Sequence, residues 1–493
     1  MAPNVYSFQI TSQQESKVQL TDLLVVFYWF IIATVFLRII FKRRSVSASL
    51  AWVLIIVVFP IFGVIIYLFF GEIQLGQKRA DRALALRKPF LENYNSHLRG
   101  HEPPAPPQQT ANAIFQLIHH RDGIGALSYD DFSLLASPDE IFDAWIADIN
   151  AAQQNIRMEF YIWHPYGRVS EVTEALLAAA KRGVEIELLI DHAGSWRFFT
   201  FSAAERVMRD AGIKVVPALP VNLFRNLFRR ADIRLHRKLL LIDHQICYTG
   251  SMNMADPRFF NANKKFGPWV DMMIRFTGTA AFGVSKVFSW DWELETGQRN
   301  FPQLQFPLTE SPKRLSIIPS GPGHDEEYMH QIMLSVLHRA NSEIFISTPY
   351  FVPSDSIYAA LCHAAHRGIN VTILLPQVSD SKMAAIASQS YFEGLLRAGV
   401  KIHLFGNGLL HTKAITVDGE LALVGSMNLD MRSLQLNFEL SLALYDQDCC
   451  DKICELLRHY AEQSEPVSLE RWSQRRKYRH LAERFMYFLS PLL

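Results

Sequence analysis

One stretch of this chain occurs twice, and it limits the fold more than any other feature. HRKLLLIDHQICYTGSMN at 236–253 returns as HTKAITVDGELALVGSMN at 411–428, 175 positions later. Two further pairs keep the same order: AAAKRGVEIELLID at 178–191 with HAAHRGINVTILLP at 363–376, and AGIKVV at 211–216 with AGVKIH at 398–403. In the first of these pairs an Arg-Gly step closes a helix and an apolar run starts a strand. Repetition of helix, glycine, strand and motif in one order marks a duplicated α/β unit, with strands and helices alternating in each copy. The expected core is two tandem repeats with mixed sheets flanked by helices, the first over 111–310 and the second over 311–493.

The chain has 493 residues, room for more than this pair of repeats. Ahead of them come two apolar runs, 23–41 with Arg38 as its one charge, and 50–70 with none. Each has the length of a membrane span, and Pro60 and Gly63 are tolerable inside a lipid-embedded helix. The sequence therefore predicts a two-helix transmembrane hairpin over 1–71. Positive charges flank it almost equally, Arg38, Lys42, Arg43 and Arg44 against Lys78, Arg79, Arg82, Arg87 and Lys88, so the side facing the cytoplasm stays open. Residues 72–110 read as a charged helical stalk followed by the Pro-rich spacer HEPPAPPQQT.

Charge and cysteine content narrow the function. Lys+Arg at 49 and Asp+Glu at 48 leave a net charge of +1, so no global basic field recruits nucleic acid and any anion site is local. The five cysteines, Cys247, Cys362, Cys449, Cys450 and Cys454, form no CxxC pair, which implies reduced thiols and no zinc site.

The chemistry lies in the repeated motif. His236 and Lys238, like His411 and Lys413, stand two apart on an apolar run, and a strand's two-residue period puts each pair on one face. Asp243 and Asp418 follow their histidines by seven residues and so fall on the opposite face of an ideal strand, which argues against a direct catalytic role. Gly250 and Gly425 offer a tight turn, while Ser251, Asn253, Ser426 and Asn428 supply uncharged donors. Asp271 in WVDMMIRF and Glu439 in NFELSLAL place one acid on a strand of each copy, and each is expected to orient its own copy's imidazole.

H-x-K-x4-D followed by G-S-x-N, present twice, resembles the HKD motif of the phospholipase D superfamily. The two apolar runs, GEIQLGQKRADRA from Gly71, YTGSMNMADPR from Tyr248, TPYFVPSD from Thr348 and VGSMNLDMRS from Val424 together resemble the bacterial cardiolipin synthases of the A type, over essentially the whole chain. The resemblance implies a catalytic set of His236, Lys238, Asp243, His411, Lys413 and Asp418. Lys238, Lys413, Asn253, Asn428, Ser251 and Ser426 would bind phosphate, with no metal and no cofactor. It further implies that His236 attacks phosphorus, that His411 is the acid and base, and that a phosphatidyl group moves from one phosphatidylglycerol to another through a phosphatidyl-histidine, giving cardiolipin and glycerol. Nothing in the motifs fixes the acceptor, so a phospholipase D hydrolase or another phosphatidyltransferase with the same intermediate is the alternative. The implied partners are phosphatidylglycerol and anionic membrane lipid, not nucleic acid, with a homo-oligomer left open. The implied location is the bacterial inner (cytoplasmic) membrane, crossed twice.

Two surface segments suggest contact with lipid. VNLFRNLFRR at 221–230 has no counterpart in the second copy and sets Leu223, Phe224, Leu227 and Phe228 on one helical face. The end of the chain, 471–493, is a basic amphipathic tail that reads either as an interfacial anchor or as a helix packed on the second repeat.

Overall fold

Uninterrupted apolar runs give strands buried on both faces, which are stable only in a sheet covered by helices on each side. The first repeat builds seven such strands in the order Phe132–Leu135, Met273–Thr277, Ile246–Gly250, Leu239–Ile242, Asn155–Phe160, Glu185–Asp191, Lys214–Ala218. The last three run parallel and the others pair antiparallel, so the sheet is mixed. The second repeat has the same order in Arg314–Ser320, Glu439–Leu444, Leu421–Gly425, Ala414–Val417, Glu343–Ser347, Asn370–Pro376, Lys401–Phe405, with Leu127–Ser128 and Ser464–Pro466 added at its edges. The protein is thus two mixed α/β repeats, as the duplication predicts. The structure, a computed structural model, describes residues 6–41, 46–71, 77–122, 124–221, 232–261, 264–324, 327–475 and 477–489.

Local sequence explains the helices that cover these sheets. Helix Pro138–Ala151 starts with a capping box between Ser137 and Glu140 and turns Ile141, Phe142, Trp145 and Ile149 inward. Helix Thr279–Thr296 is enclosed along nearly its whole length and ends at Gly297, whose φ of 77° closes it in the left-handed conformation. Helix Gln77–Leu98 lies on it, with Phe90 edge-on to Trp290 at 5.2 Å and Arg79 paired to Glu295 at 2.5 Å. The chain divides into two compact units, Met1–Ile73 and Gln74–Pro491, and both repeats belong to the second.

Residues 6–71 correct the expectation of a transmembrane hairpin. Among the described residues no helix is long and apolar enough to cross a membrane. The second apolar run is not one helix: Val46–Val58, 13 residues, ends at Phe59, and Pro60 opens a separate helix, Pro60–Phe70, of 11 residues. At ~1.5 Å per residue these reach roughly 20 and 17 Å, against a hydrocarbon thickness of about 30 Å. They fold back on each other. Trp52 meets Tyr67 edge-on at 5.3 Å, and a Cβ at Gly63 would come within 2.8 Å of the Ile55 carbonyl oxygen, so only glycine permits the approach. Pro60 and Gly63 build a reversal. The first run forms the C-terminal half of Tyr6–Phe41, and its Val35 and Ile39 complete a small core with Trp52, Ile56 and Tyr67.

The tail helix Lys477–Leu489 packs on Lys382–Ala398: Met486 enters the second repeat's core, and Arg475 holds Glu483 at 2.7 Å. Its Leu481, Phe485 and Phe488 remain exposed. The expected lipid-facing residues Leu223, Phe224, Leu227 and Phe228 lie outside the described residues.

Candidate active site

The site forms where a short strand of one repeat runs beside a short strand of the other. Leu409–Leu410 pairs in parallel with Trp269–Val270, and an isolated bridge joins Leu235 to Phe438. The next residue in each case is a histidine or an acid. His236 N–H donates to the Phe438 carbonyl at 2.9 Å, and His411 N–H to that of Val270 at 2.8 Å. This register corrects the expectation that each acid serves its own copy. His236 Nδ1 lies 3.0 Å from Glu439 Oε2, and His411 Nδ1 lies 2.6 Å from Asp271 Oδ1.

Burial alone would push both carboxyls up. The imidazole beside each, together with a lysine charge and the serine hydrogen bond, outweighs it and holds Glu439 and Asp271 below the usual carboxylate range. Both are therefore acceptors, which assigns the Nδ1 proton to each imidazole and leaves Nε2 for the cavity. Burial lowers the pKa of both histidines. It brings His236 down to about 4 despite Glu439, and for His411 the Lys413 charge adds to the effect. Trp269 lies over the His411 ring at 4.2 Å, and Tyr161 stands 5.3 Å from that of His236.

The serines support the acids and not a phosphate, correcting their expected role. Ser251 Oγ donates to Asp271 Oδ1 at 2.6 Å and Ser426 Oγ to Glu439 Oε2 at 2.5 Å. The preceding glycines allow close approach where a tight turn was expected. A Cβ at Gly250 would lie 2.4 Å from the Met272 carbonyl oxygen, and one at Gly425 2.1 Å from that of Leu440, so a side chain at either would push the acid's strand away.

Lys238 Nζ donates to the His236 carbonyl at 2.5 Å and Lys413 Nζ to that of His411 at 2.6 Å. Burial brings Lys238 down to about 8, and burial with the charge of Lys238 brings Lys413 to about 7. An arriving anion favours the charged form of both. Asn253 accepts from Ile162 N–H at 3.2 Å, while its buried Nδ2 has no partner among the described residues.

Asp243 and Asp418 are not brought to the imidazoles, which corrects their place in the catalytic set. Asp243 accepts from the N–H groups of Gln153, Gln154 and Asn155 at 2.7–2.9 Å, and Asp418 from those of Asn341, Ser342 and Glu343 at 2.8–3.1 Å. Each carboxylate pins the turn that enters its repeat's central strand.

His236 and His411 line one cavity of about 490 Å³ with Asn253, Asn428, Arg234 and Arg432. Several of its working residues escaped sequence reasoning although they stand at strand period from a motif residue. Trp269 precedes Asp271 by two, and Arg234 precedes His236 by two. Asp191 has no such signal. Fully buried, it fixes the approach to His236 by accepting from Leu235 N–H at 3.0 Å and pairing with Arg234 at 3.3 Å. Among the described residues no His, Cys, Asp and Glu cluster has the arrangement to hold a metal ion.

Comparison with known proteins accords with this geometry. Residues 145–270 and 333–462 match the family described as cardiolipin synthase, phospholipase D-like domain, and residues 27–72 match one described as phospholipase D-nuclease N-terminal. The chain is 45% identical over 473 residues to cardiolipin synthase A of Yersinia pseudotuberculosis serotype O:1b (strain IP 31758), covering 94% of this chain and 97% of the relative. Cardiolipin synthase A of Yersinia pestis matches with the same figures. Among solved structures, phosphatidylserine synthase of Haemophilus influenzae Rd KW20 shares the fold with a TM-score of 0.57 at 15% identity, over 78% of this chain and 100% of that one.

Proposed function

This chain belongs to the cardiolipin synthases with phospholipase D-like domains, and on that premise we propose that it transfers a phosphatidyl group from one phosphatidylglycerol to another, releasing glycerol. The observation that carries the mechanism is the crossed pair of imidazoles, each oriented by the other repeat's acid and both lining one cavity.

In the first step His236 Nε2 attacks phosphorus, forming a P–N bond as the P–O bond to glycerol breaks. His411 gives its Nε2 proton to the departing alkoxide. His236 suits attack because its depressed pKa keeps it neutral, and its side chain is the more open to the cavity, at 12% exposure against 4% for His411. The bound phosphodiester raises the proton affinity of His411 and so loads the acid. Lys238, Lys413 and the free Nδ2 of Asn253 surround the nonbridging oxygens as charge builds. In the second step His411 takes the proton of the acceptor hydroxyl, whose oxygen displaces the P–N bond and regenerates His236.

The site belongs on a bacterial membrane, since both substrates reside there. The many exposed apolar side chains of 23–41 and 50–66, Trp29, Phe30, Phe41 and Phe62 among them, support burial against lipid, and we place the enzyme at the cytoplasmic membrane. Incubation of the purified protein with phosphatidylglycerol alone tests the reaction. Cardiolipin and free glycerol in equal amounts are expected, whereas phosphatidic acid as the main lipid product would favour the hydrolase.

A further inference from the structure

A second cavity, of about 660 Å³, opens beside the first and shares Tyr161, Ile162, Phe260 and Asn261 with it. Its chemistry differs. The cavity holding the imidazoles has the acids Asp380 and Asp430 in its lining, whereas among the described residues no carboxylate lines the second one, and Arg197, Lys264 and His164 do. His164 Nδ1 is buried without a hydrogen-bond partner among the described residues. Exposed Trp196 and Phe259 also line it. A continuous series of rings links the two: His164 meets Phe260 at 5.3 Å, Phe260 meets Trp269 at 5.2 Å, and Trp269 covers His411 at 4.2 Å.

This cavity belongs to the first repeat alone. Asp271 follows Asn253 by 18 positions, whereas Glu439 follows Asn428 by 11, and the longer connection supplies Phe259, Phe260, Asn261 and Lys264. Asn261 turns there with a φ of 56°, a left-handed conformation that asparagine tolerates better than most residues.

Resting on transfer between two phosphatidylglycerols, we propose that this cavity binds the phosphodiester of the acceptor lipid. Hydrolysis, or transfer to a small alcohol, brings a single phosphate into the site. Joining two lipids brings a second anion to within one glycerol of the first, and like charges at that separation repel. Arg197 and Lys264 answer that repulsion, and the shared wall of four residues leaves the acceptor's glycerol reaching from one cavity into the other. His164 donates to the same phosphate, and Trp196 and Phe259 meet the start of the acyl chains.

The test compares two acceptors on the full-length enzyme in vesicles of phosphatidylglycerol with ethanol added, measuring cardiolipin and phosphatidylethanol together. The double variant Arg197→Gln, Lys264→Gln should lower the ratio of cardiolipin to phosphatidylethanol about tenfold or more, the loss of one or two charge-assisted contacts. The charge-keeping double variant Arg197→Lys, Lys264→Arg should recover most of the ratio. An unchanged ratio in the Gln variant, including an equal fall in both products, would overturn the acceptor site. A wild-type enzyme that makes phosphatidylethanol but no cardiolipin would instead overturn the reaction on which the site rests.

Discussion

The two repeats carry the same imidazole, lysine and serine, yet differ behind the catalytic strand. In the first, Glu159 stands opposite Leu239; in the second, Ser347 stands opposite Ala414. Between the motif's His and Lys the first repeat has Arg237 and the second Thr412. Both reach across the seam to a backbone carbonyl, Arg237 Nε to Glu439 at 3.0 Å and Thr412 Oγ1 to Val270 at 3.2 Å. Arg237, fully buried, also pairs with Asp291 and donates to the Ser320 carbonyl. Neither carboxyl oxygen of Glu159 has a hydrogen-bond partner among the described residues, and burial pushes its pKa up to about 8 despite Arg237. Ser347 simply donates to the Thr412 carbonyl. The two repeats therefore share the imidazole, its acid, the lysine and the serine, while the residues behind them range from the buried Glu159 and Arg237 to the hydroxyls of Ser347 and Thr412.

Replacing a histidine should have the largest effect and should separate the halves. His236→Ala and His411→Ala should each lower turnover by at least ~10³-fold, since one cycle uses both an attacking group and a proton carrier. Only His411→Ala should accumulate a phosphatidyl group on histidine, visible by mass spectrometry of quenched protein. Accumulation in His236→Ala instead would reverse the roles of the repeats.

The crossing of acids is next. Glu439→Gln should slow formation of the covalent intermediate by ~10²–10⁴-fold because His236 loses its tautomer, while Asp271→Asn should act through His411. Rapid-quench measurement of the phosphatidyl-enzyme separates the two, and slower loading of His236 in Asp271→Asn than in Glu439→Gln would contradict the swap.

A smaller effect concerns pH. His236, held down to about 4 against an ordinary 6.5, stays neutral in the folded protein where the unfolded chain binds a proton. Its contribution to stability is full above pH 6.5 and is lost as pH falls toward 4, and the depressed Asp271 and Glu439 act in the same direction at lower pH. Glu159 acts oppositely. Raised from 4.5 to about 8, it holds a proton that the unfolded chain has shed, so stability falls as pH rises across that interval. Glu159→Ser, which installs the second repeat's residue, should flatten the alkaline fall in Tm between pH 6 and 8. An unchanged slope would mean that the carboxyl finds a partner at neutral pH.

The least effect is expected at the tail helix, packed on the second repeat and exposing Leu481, Phe485 and Phe488. Leu481→Asp with Phe485→Asp should weaken binding to anionic vesicles a few-fold, by removing buried apolar area and adding repulsion. Flotation of the full chain measures it, and undiminished binding would leave the face without a lipid role.

Part of this site was legible in the sequence, since the repeated spacing marked His236 with Lys238 and His411 with Lys413 as one local unit in each copy. The strand period behind that reading does not hold there: residues 236–238 and 411–413 precede the strands Leu239–Ile242 and Ala414–Val417, and Asp243 and Asp418 stand apart from the imidazoles because they occupy left-handed turns beyond the far strand ends. The duplication likewise determined two mixed α/β repeats, because each copy's apolar runs need the same two-sided cover. Which imidazole meets which acid was not legible. That depends on Leu235 pairing with Phe438 and Leu410 with Val270, contacts between residues 203 and 140 positions apart that leave no periodic trace. The same holds for Ser251 and Ser426, whose hydroxyls point to an acid once Gly250 and Gly425 let the strands close. The run at 50–70 shows the limit most plainly: its composition made it apolar throughout, but only the packing of Trp52 on Tyr67 and the backbone approach at Gly63 decided that it folds back at Phe59. Sequence determines which face a residue takes within its own strand or helix, and tertiary structure decides what that face meets, because the energy of a contact depends on partners that the local chain does not contain.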